Sequence, residues 1–193
     1  MDFQEVVRRR RMVRTFTEAP VPKESLERIL DNAVRGPSAG FSQGQSFLLL
    51  TEPADRERFW AIAGAAVNES AQTAPAVIVP MSCKRVYLDR YAQPDKGWTD
   101  RDEARWPVPF WHIDTGMAAL LILQTVVDEG LGAIYFGIVP EAVQPFRDAF
   151  GVPDDQEPIG AIAIGYDGET EKRDLRSRRR NLDDLVHYGR WKG

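Results

Sequence analysis

The sequence of 193 residues predicts an α+β sandwich in a single domain. Three observations predict it: helical and strand patterns alternate along the chain, one long segment is apolar nearly all round, and the C-terminal stretch has no core of its own. A fully buried helix and a tail that must pack on something else both make sense if two subunits share a core. We therefore expect residues 1–193 to form one domain, and two chains to form a homodimer in which the tail of each, at about 167–193, wraps the other.

Two helices open the chain. Apolar residues at helical spacing predict the first helix over residues 2–10, before an extended stretch at 14–16. The second covers residues 23–35, where Leu26 and Ile29 belong to a buried stripe that Gly36-Pro37 brings to an end.

The middle and C-terminal parts of the domain alternate between strands and helices. Short apolar runs predict strands, and longer amphipathic or apolar runs predict helices. The predicted strands are residues 45–50, 74–81, 132–139 and 159–166, and the predicted helices are 53–64, 111–129 and 140–150. The helix at 111–129 is apolar nearly all round and should be buried on more than one side. Residues 84–110 mix charge with aromatic rings and predict a partly helical lid.

Several functional classes are disfavoured by composition. No run of about 18 apolar residues occurs and the N-terminus lacks a signal-peptide pattern, so we expect a cytoplasmic protein without a membrane partner. Cys83 is the lone cysteine and the two histidines, His112 and His187, have no metal-site spacing, so no metal site is expected. Neither histidine has an acid partner evident in the sequence, and no serine lies in a Gly-x-Ser-x-Gly context, so a hydrolase is disfavoured.

The arginines are concentrated near the two ends of the chain. Residues 8–14 and 176–180 hold nine of the twenty, and the rest of the chain is strongly acidic. An acidic body would repel a nucleic-acid backbone, so a compact anion site is favoured over nucleic-acid binding. The sequence has no GxGxxG loop, so the bidentate guanidinium groups of arginines would hold the phosphate of a nucleotide-like cofactor. A solvated helix face, or a non-enzymatic binder of polyanions, is the alternative.

Four motifs in the same order resemble those of the nitroreductase family. Arg9-Arg-Arg-Met-Val-Arg-Thr-Phe16 is similar to the family's first motif, commonly Arg-Arg-Ser-x-Arg-x-Phe, and Pro37-Ser-Ala-Gly-Phe-Ser-Gln43 to its Pro-Ser-x-x-Asn-x-Gln loop. Gly130-Leu-Gly132 resembles its Gly-Leu-Gly, and residues 178–187 its basic C-terminal signature. The resemblance implies a three-layer α-β-α sandwich with an antiparallel-rich sheet, a long buried helix, and C-terminal extensions exchanged in a homodimer.

The same resemblance implies which residues bind FMN. Arg10, Arg11 and Arg14 would hold the phosphate and ribityl chain, joined by one or two of Arg178, Arg179 and Arg180, with Met12 in the same motif. Pro37, Ser38, Ala39 and Gly40 would lie along the flavin, and Ser42 and Gln43 would approach it across the dimer interface. Backbone amides near Phe136 and Gly137 would face the flavin N5 edge. No catalytic side chain is expected, because the flavin carries the chemistry.

By this resemblance the protein is an oxidoreductase that passes hydride from NADH or NADPH, through flavin N5, to a small electron-poor acceptor such as a nitroaromatic or quinone, by a ping-pong mechanism. The alternative is a specialised relative that fragments flavin to dimethylbenzimidazole, removes halogen reductively, or binds a deazaflavin. Two departures bear on substrate preference: Met12 replaces the family's usual Ser, and Gly44-Gln45 replaces the common Pro-Trp.

Overall fold

An antiparallel sheet forms the centre of the computed structural model, which describes residues 1–171 and 175–191, without the side chain of Arg176. Its strands within that part of the chain are β1 (Gln45–Leu50), β2 (Ala76–Ser82), β3 (Gly132–Phe136), β4 (Glu157–Pro158) and β5 (Ala161–Gly165). The order across the sheet is β1-β2-β5-β3, and the two-residue β4 extends the edge beside β2. All residues of β2 and β5 are buried, as expected for central strands that are covered on both faces.

Helices cover both faces of the sheet. They are α1 (Phe3–Arg9), α2 (Lys23–Ala33), α3 (Pro53–Ala63), α4 (Lys84–Tyr91), α5 (Phe110–Asp128) and α6 (Pro140–Phe150). On one face, α2 and α5 pack through residues such as Ile29 and Ile122 against Ile78 and Ile162 of the sheet. On the other face, Phe59 of α3 and Phe146 of α6 enclose a second apolar cluster. The α+β class and the three-layer arrangement expected from the sequence are therefore confirmed.

The long helix α5 is buried less completely than its composition predicts. Ile113, Met117 and Leu120 follow one another at helical spacing, and each is 38–47 % exposed. The helix is covered where it faces α1, α2 and the sheet, whereas this stripe is left exposed in a single chain. By length and hydropathy alone α5 could cross a membrane, but half of that apolar window is buried inside the protein.

The excursion at residues 84–110 consists of α4 and an irregular segment with one short 3₁₀ turn. Trp106 lies at the centre of its aromatic side chains, with ring centroids 4.5 Å from Tyr91 and 5.6 Å from Trp98. Tyr87 and Trp111 also meet Trp106 edge-on, at about 6 Å. Because these rings pack on one another, the excursion has a small aromatic core of its own. We call it the aromatic cluster.

The tail begins as a continuation of β5 and then leaves the body of the protein. The described residues 175–191 contain short 3₁₀ turns and no strand. Five of their apolar side chains are exposed: Leu175, Leu182, Leu185, Tyr188 and Trp191. The other residues of the predicted tail, 172–174 and 192–193, lie outside the described part of the chain. Within one chain, the apolar side chains of the tail therefore remain in solvent.

Candidate functional site

The segment Arg10–Phe16, here called the arginine segment, lies against the start of β3 and the continuation of β5. The N–H of Val13 donates to Ala133 O at 2.9 Å, and Phe16 forms a bridge with Asp167. The contact is close, because a Cβ on Gly132 would lie 2.7 Å from Val13 Cγ2. The glycine that closes the Gly-Leu-Gly motif therefore lets the arginine segment reach the sheet.

Arg11 is held by two carboxylates of the chain itself. Its guanidinium pairs with Asp167 and with Glu169, which belong to the base of the tail. Partial burial acts to lower the pKa of Arg11, but the hydrogen bonds to Glu169 and Asp167 raise it overall. In this chain Arg11 therefore serves to attach the tail, and its fork is not available to a ligand unless those pairs open.

Arg10 and Arg14 are in a different situation. Both are half-buried, and across residues 1–171 and 175–191 neither guanidinium pairs with a carboxylate. The Arg14 guanidinium donates only to Met12 O, at 3.3 Å. Two positive charges that have no carboxylate partner among the described residues, on a backbone fixed to the sheet, would attract an anion.

Residues Ser38–Gly44, here called the flavin loop after its predicted role, lie between α2 and β1. The N–H of Ala39 donates to the carboxylate of Asp114 at 2.8 Å, and the Tyr87 hydroxyl donates to the same oxygen at 2.9 Å. Asp114 is buried in the second turn of α5. Asp114 was not among the predicted site residues, although an acid near the start of a largely apolar helix is a signal that could have found it.

The flavin loop also packs closely on the aromatic cluster. A Cβ on Gly44 would lie 2.5 Å from the Tyr87 ring, and a Cβ on Gly40 would lie 2.7 Å from the Tyr91 ring. Arg90 of α4 donates to Gly40 O at 2.9 Å. Burial and the hydrogen bond to Asp114 raise the pKa of Tyr87 well above its ordinary value, so the phenol stays protonated at neutral pH. The excursion therefore packs against the flavin loop and holds it in place.

Phe136 is the last residue of β3, and Gly137 follows it. Phe136 is buried and stacks on Trp60, with ring centroids 5.8 Å apart. Gly137 is exposed, and no atom lies within 4 Å of the position that a Cβ would take. Gly137 lies four residues beyond Ala133, where the arginine segment meets β3, which corresponds to about 13 Å along the strand. The surface between them is long enough for a phosphate at one end and a ring at the other.

The arginine segment and the flavin loop lie at opposite ends of β2. Thr73, before β2, donates from its hydroxyl to Phe16 O at 3.1 Å, whereas Cys83, after β2, donates from its N–H to Gly44 O at 2.8 Å. The seven residues of β2 span roughly 20 Å. The structure therefore does not bring the two halves of the predicted site together within one chain.

Among the described residues, the arginines near the C-terminus show no contact with the arginine segment. Arg178, Arg179 and Arg180 are exposed, and Arg180 donates to Asp184 O at 2.9 Å within the tail. To hold the phosphate as predicted, these arginines would have to make contacts other than those seen among the described residues of this chain.

His112 is the centre of a chain of polar side chains that was not predicted from the sequence. Its Nδ1 lies 2.8 Å from Ser82 Oγ and its Nε2 lies 3.3 Å from Glu157. The expectation that neither histidine has an acid partner is therefore wrong for His112, because β4 brings Glu157 back beside β2. Ser82 is only 1 % exposed, so its hydroxyl cannot meet a substrate as a nucleophile would. A hydrolase therefore remains disfavoured.

A family model described as "Nitroreductase family" matches residues 7–166. The chain belongs to the nitroreductase family. A protein of Methanothermobacter thermautotrophicus, provisionally named NADH dehydrogenase/NAD(P)H nitroreductase, is 28 % identical over 99 % of this chain and 88 % of its own length. An Archaeoglobus fulgidus protein of the same name is 25 % identical over 94 % of each chain.

Solved structures of nitroreductase-like proteins share this fold. A crystal structure from Exiguobacterium sibiricum, described as a provisional nitroreductase in complex with FMN, has a TM-score of 0.77 at 20 % identity over 100 % of this chain and 98 % of that one. A nitroreductase family protein of Clostridium difficile has a TM-score of 0.74 at 23 % identity over 99 % and 100 %. The family resemblance and the fold expected from the motifs are confirmed.

Proposed function

We propose that this protein is an FMN-dependent oxidoreductase that takes hydride from NADH or NADPH and passes it to a small electron-poor acceptor, a nitroaromatic or a quinone, in a ping-pong cycle. The observation that carries the proposal is the pair of half-buried guanidiniums of Arg10 and Arg14, which have no carboxylate partner among the described residues. FMN in the Exiguobacterium sibiricum neighbour and NAD(P)H in the names of the archaeal relatives support the same cofactors here.

The residues present fit FMN. Charge-assisted hydrogen bonds from Arg10 and Arg14 would hold the phosphate, each contributing roughly 1.5–3 kcal/mol. The open surface at Gly137 leaves room for a planar ring, and the Gly137 N–H would donate to that ring's edge. Bound FMN would supply the hydride chemistry at its N5 atom. The chain would supply orientation, positive charge and exclusion of water.

We propose that the working unit is a cytoplasmic homodimer with a flavin site at each subunit interface. Three observations support it: the flavin loop and the arginine segment are at opposite ends of β2, α5 has an exposed apolar stripe, and the tail has exposed apolar side chains. In such a dimer, Pro37–Gln43 of one chain would face the flavin held by the other, and the partner's tail could bring Arg178, Arg179 or Arg180 to the phosphate.

The test begins with an absorbance spectrum of the purified protein and release of any yellow cofactor. We expect FMN at about one per chain. Anaerobic mixing with NADH or NADPH should then bleach the flavin, and adding menadione or a nitroaromatic should restore its colour. A colourless protein that takes up no added FMN would overturn the proposal. A bound flavin that neither nicotinamide reduces would leave the cofactor assignment in place and remove the oxidoreductase assignment.

A further inference from the structure

Phe41 is held at the tip of the flavin loop in an unusual conformation. Its φ is +54°, and it lies between Gly40 at +61° and Gln43 at +56°. A bulky residue rarely adopts a positive φ, because its Cβ then crowds the backbone. Its side chain is 76 % exposed, the largest exposure of any apolar residue in the body of the protein outside the tail.

Hydrogen bonds fix the backbone on both sides of Phe41. Its own N–H donates to Ser38 O at 2.9 Å, and the N–H of Gln43 donates to Ser38 Oγ at 3.0 Å. Asp114 and Arg90 secure the neighbouring residues Ala39 and Gly40. A strained conformation persists only where the surroundings determine it this fully, and such strain is concentrated at functional sites.

The ring of Phe41 does not join the aromatic cluster. Among the described residues no aromatic ring stacks on it, although Tyr91 lies directly beneath the adjacent Gly40. Burying the ring against Tyr91 would have relieved the exposure, yet the loop directs it away. The loop is therefore built as a rigid support that presents an aromatic face to whatever lies beyond it.

Phe41 also departs from the family's loop motif. In Pro-Ser-x-x-Asn-x-Gln the position that Phe41 occupies is commonly Asn. An amide offers hydrogen bonds, whereas a phenyl ring offers an apolar face that stacks on other planar rings. This change alters what the loop can recognise, and it leaves the arginine segment untouched.

We propose that Phe41 is a specificity-determining residue that selects planar aromatic acceptors by contacting them at the flavin of the partner chain. The inference rests on the proposed function, because it requires that the flavin loop faces a flavin across the dimer interface. A ring contact of this kind is expected to change KM by roughly 3- to 10-fold. Acceptors that have no ring to stack should not sense it.

The test compares Phe41→Ala, Phe41→Asn and Phe41→Tyr with Val108→Ala, which alters an exposed apolar residue elsewhere on the excursion. KM is measured at fixed NADH for menadione and for ferricyanide, which has no ring. We expect the ratio of the menadione KM to the ferricyanide KM to rise roughly 3- to 10-fold in the Ala and Asn variants. The Tyr variant should restore the ratio, and Val108→Ala should leave it unchanged.

Three results would overturn the inference while leaving the proposed function intact. The first is an unchanged KM ratio in a variant that is yellow and turns over. In the second, Phe41→Ala separates the dimer, as sedimentation would show, which would make the ring an interface contact. In the third, Phe41→Ala loses FMN, which would make the ring a cofactor contact. A wild-type protein without flavin would instead remove the proposed function itself.

Discussion

The carboxylate of Glu169 accepts the backbone N–H of Arg14 at 2.6 Å, which joins the base of the tail to the arginine segment. The other oxygen of Glu169 pairs with Arg11, and the N–H of Gly168 donates to Thr15 O at 2.9 Å. One acidic residue thus satisfies a backbone donor and a guanidinium that are far from it in sequence. The position of the arginine segment consequently depends on the start of the tail.

Replacing Glu169 should therefore destabilise the protein. Glu169→Ala leaves the Arg14 N–H without its acceptor and removes one of the two carboxylates on Arg11, and charge-assisted bonds contribute roughly 1.5–3 kcal/mol each. We expect the free energy of unfolding to fall by about 2 kcal/mol, or roughly 4–8 °C in Tm, measured by thermal denaturation. Glu171→Ala, an exposed neighbour, is the matched control and should change Tm by less than about 2 °C. Equal effects of the two variants would contradict this account.

Arg14 and Arg11 should differ in what they do for the cofactor. Arg14→Ala is expected to raise the Kd for FMN by roughly 10- to 100-fold, because a phosphate contact is lost. The Kd for riboflavin, which has no phosphate, should hardly change. Arg11→Ala should lower Tm, because its guanidinium already pairs with Asp167 and Glu169.

Equilibrium dialysis with both flavins provides the measurement for these arginines. Arg8→Ala is the control, since Arg8 lies on the exposed side of α1. If FMN and riboflavin weakened to the same degree in Arg14→Ala, Arg14 would act on the ring or the fold, and not on the phosphate.

Local sequence patterns predicted the helices and strands well where flanking residues mark the ends of an element. The strand predicted at 45–50 coincides with β1, because Gly44 and Thr51 flank a short segment that ends in four apolar residues. The strand predicted at 132–139 ends earlier, at Phe136, because Gly137 leaves the sheet before Pro140 begins α6. Apolar composition continues past that point, so pattern alone could not locate the end of β3.

The candidate site was predicted less completely because its contacts are remote in sequence. The arginines were found, but the partners of Arg11 lie more than 150 residues away, at Asp167 and Glu169. Similarly, Glu157 reaches His112 only because β4 pairs with the end of β2. The composition of α5 predicted a helix that is apolar on all sides, but composition alone could not show which side a second chain would cover.

The exposed stripe on α5 should control assembly. Leu120→Glu places a charge in the middle of the stripe, where burial against a second chain would be opposed by desolvation of the carboxylate. We expect the variant to sediment as a monomer at concentrations where the wild type is a dimer, and to retain less FMN. Val108→Glu, an exposed apolar position away from the stripe, should remain dimeric. A dimeric, fully yellow Leu120→Glu would place the interface elsewhere.

The buried phenol of Tyr87 should make stability depend on alkaline pH. Burial, together with the hydrogen bond to Asp114, raises its pKa above the ordinary value of 10.0. Above pH 10 the unfolded chain releases the Tyr87 proton while the folded chain keeps it, so the free energy of unfolding falls as pH rises above 10. The stabilisation is fully present below that pH.

Tyr87→Phe should flatten this alkaline loss. The variant loses roughly 1 kcal/mol at neutral pH, because the hydrogen bond to Asp114 is gone, but its urea midpoint should fall less steeply above pH 10. Some slope remains, because burial also raises the pKa of Tyr135. Tyr188→Phe, at an exposed position in the tail, should follow the wild-type curve. Parallel midpoint curves for Tyr87→Phe and the wild type would show that Tyr87 ionises in the folded protein as readily as in the unfolded chain, so the buried contact to Asp114 would not hold its proton.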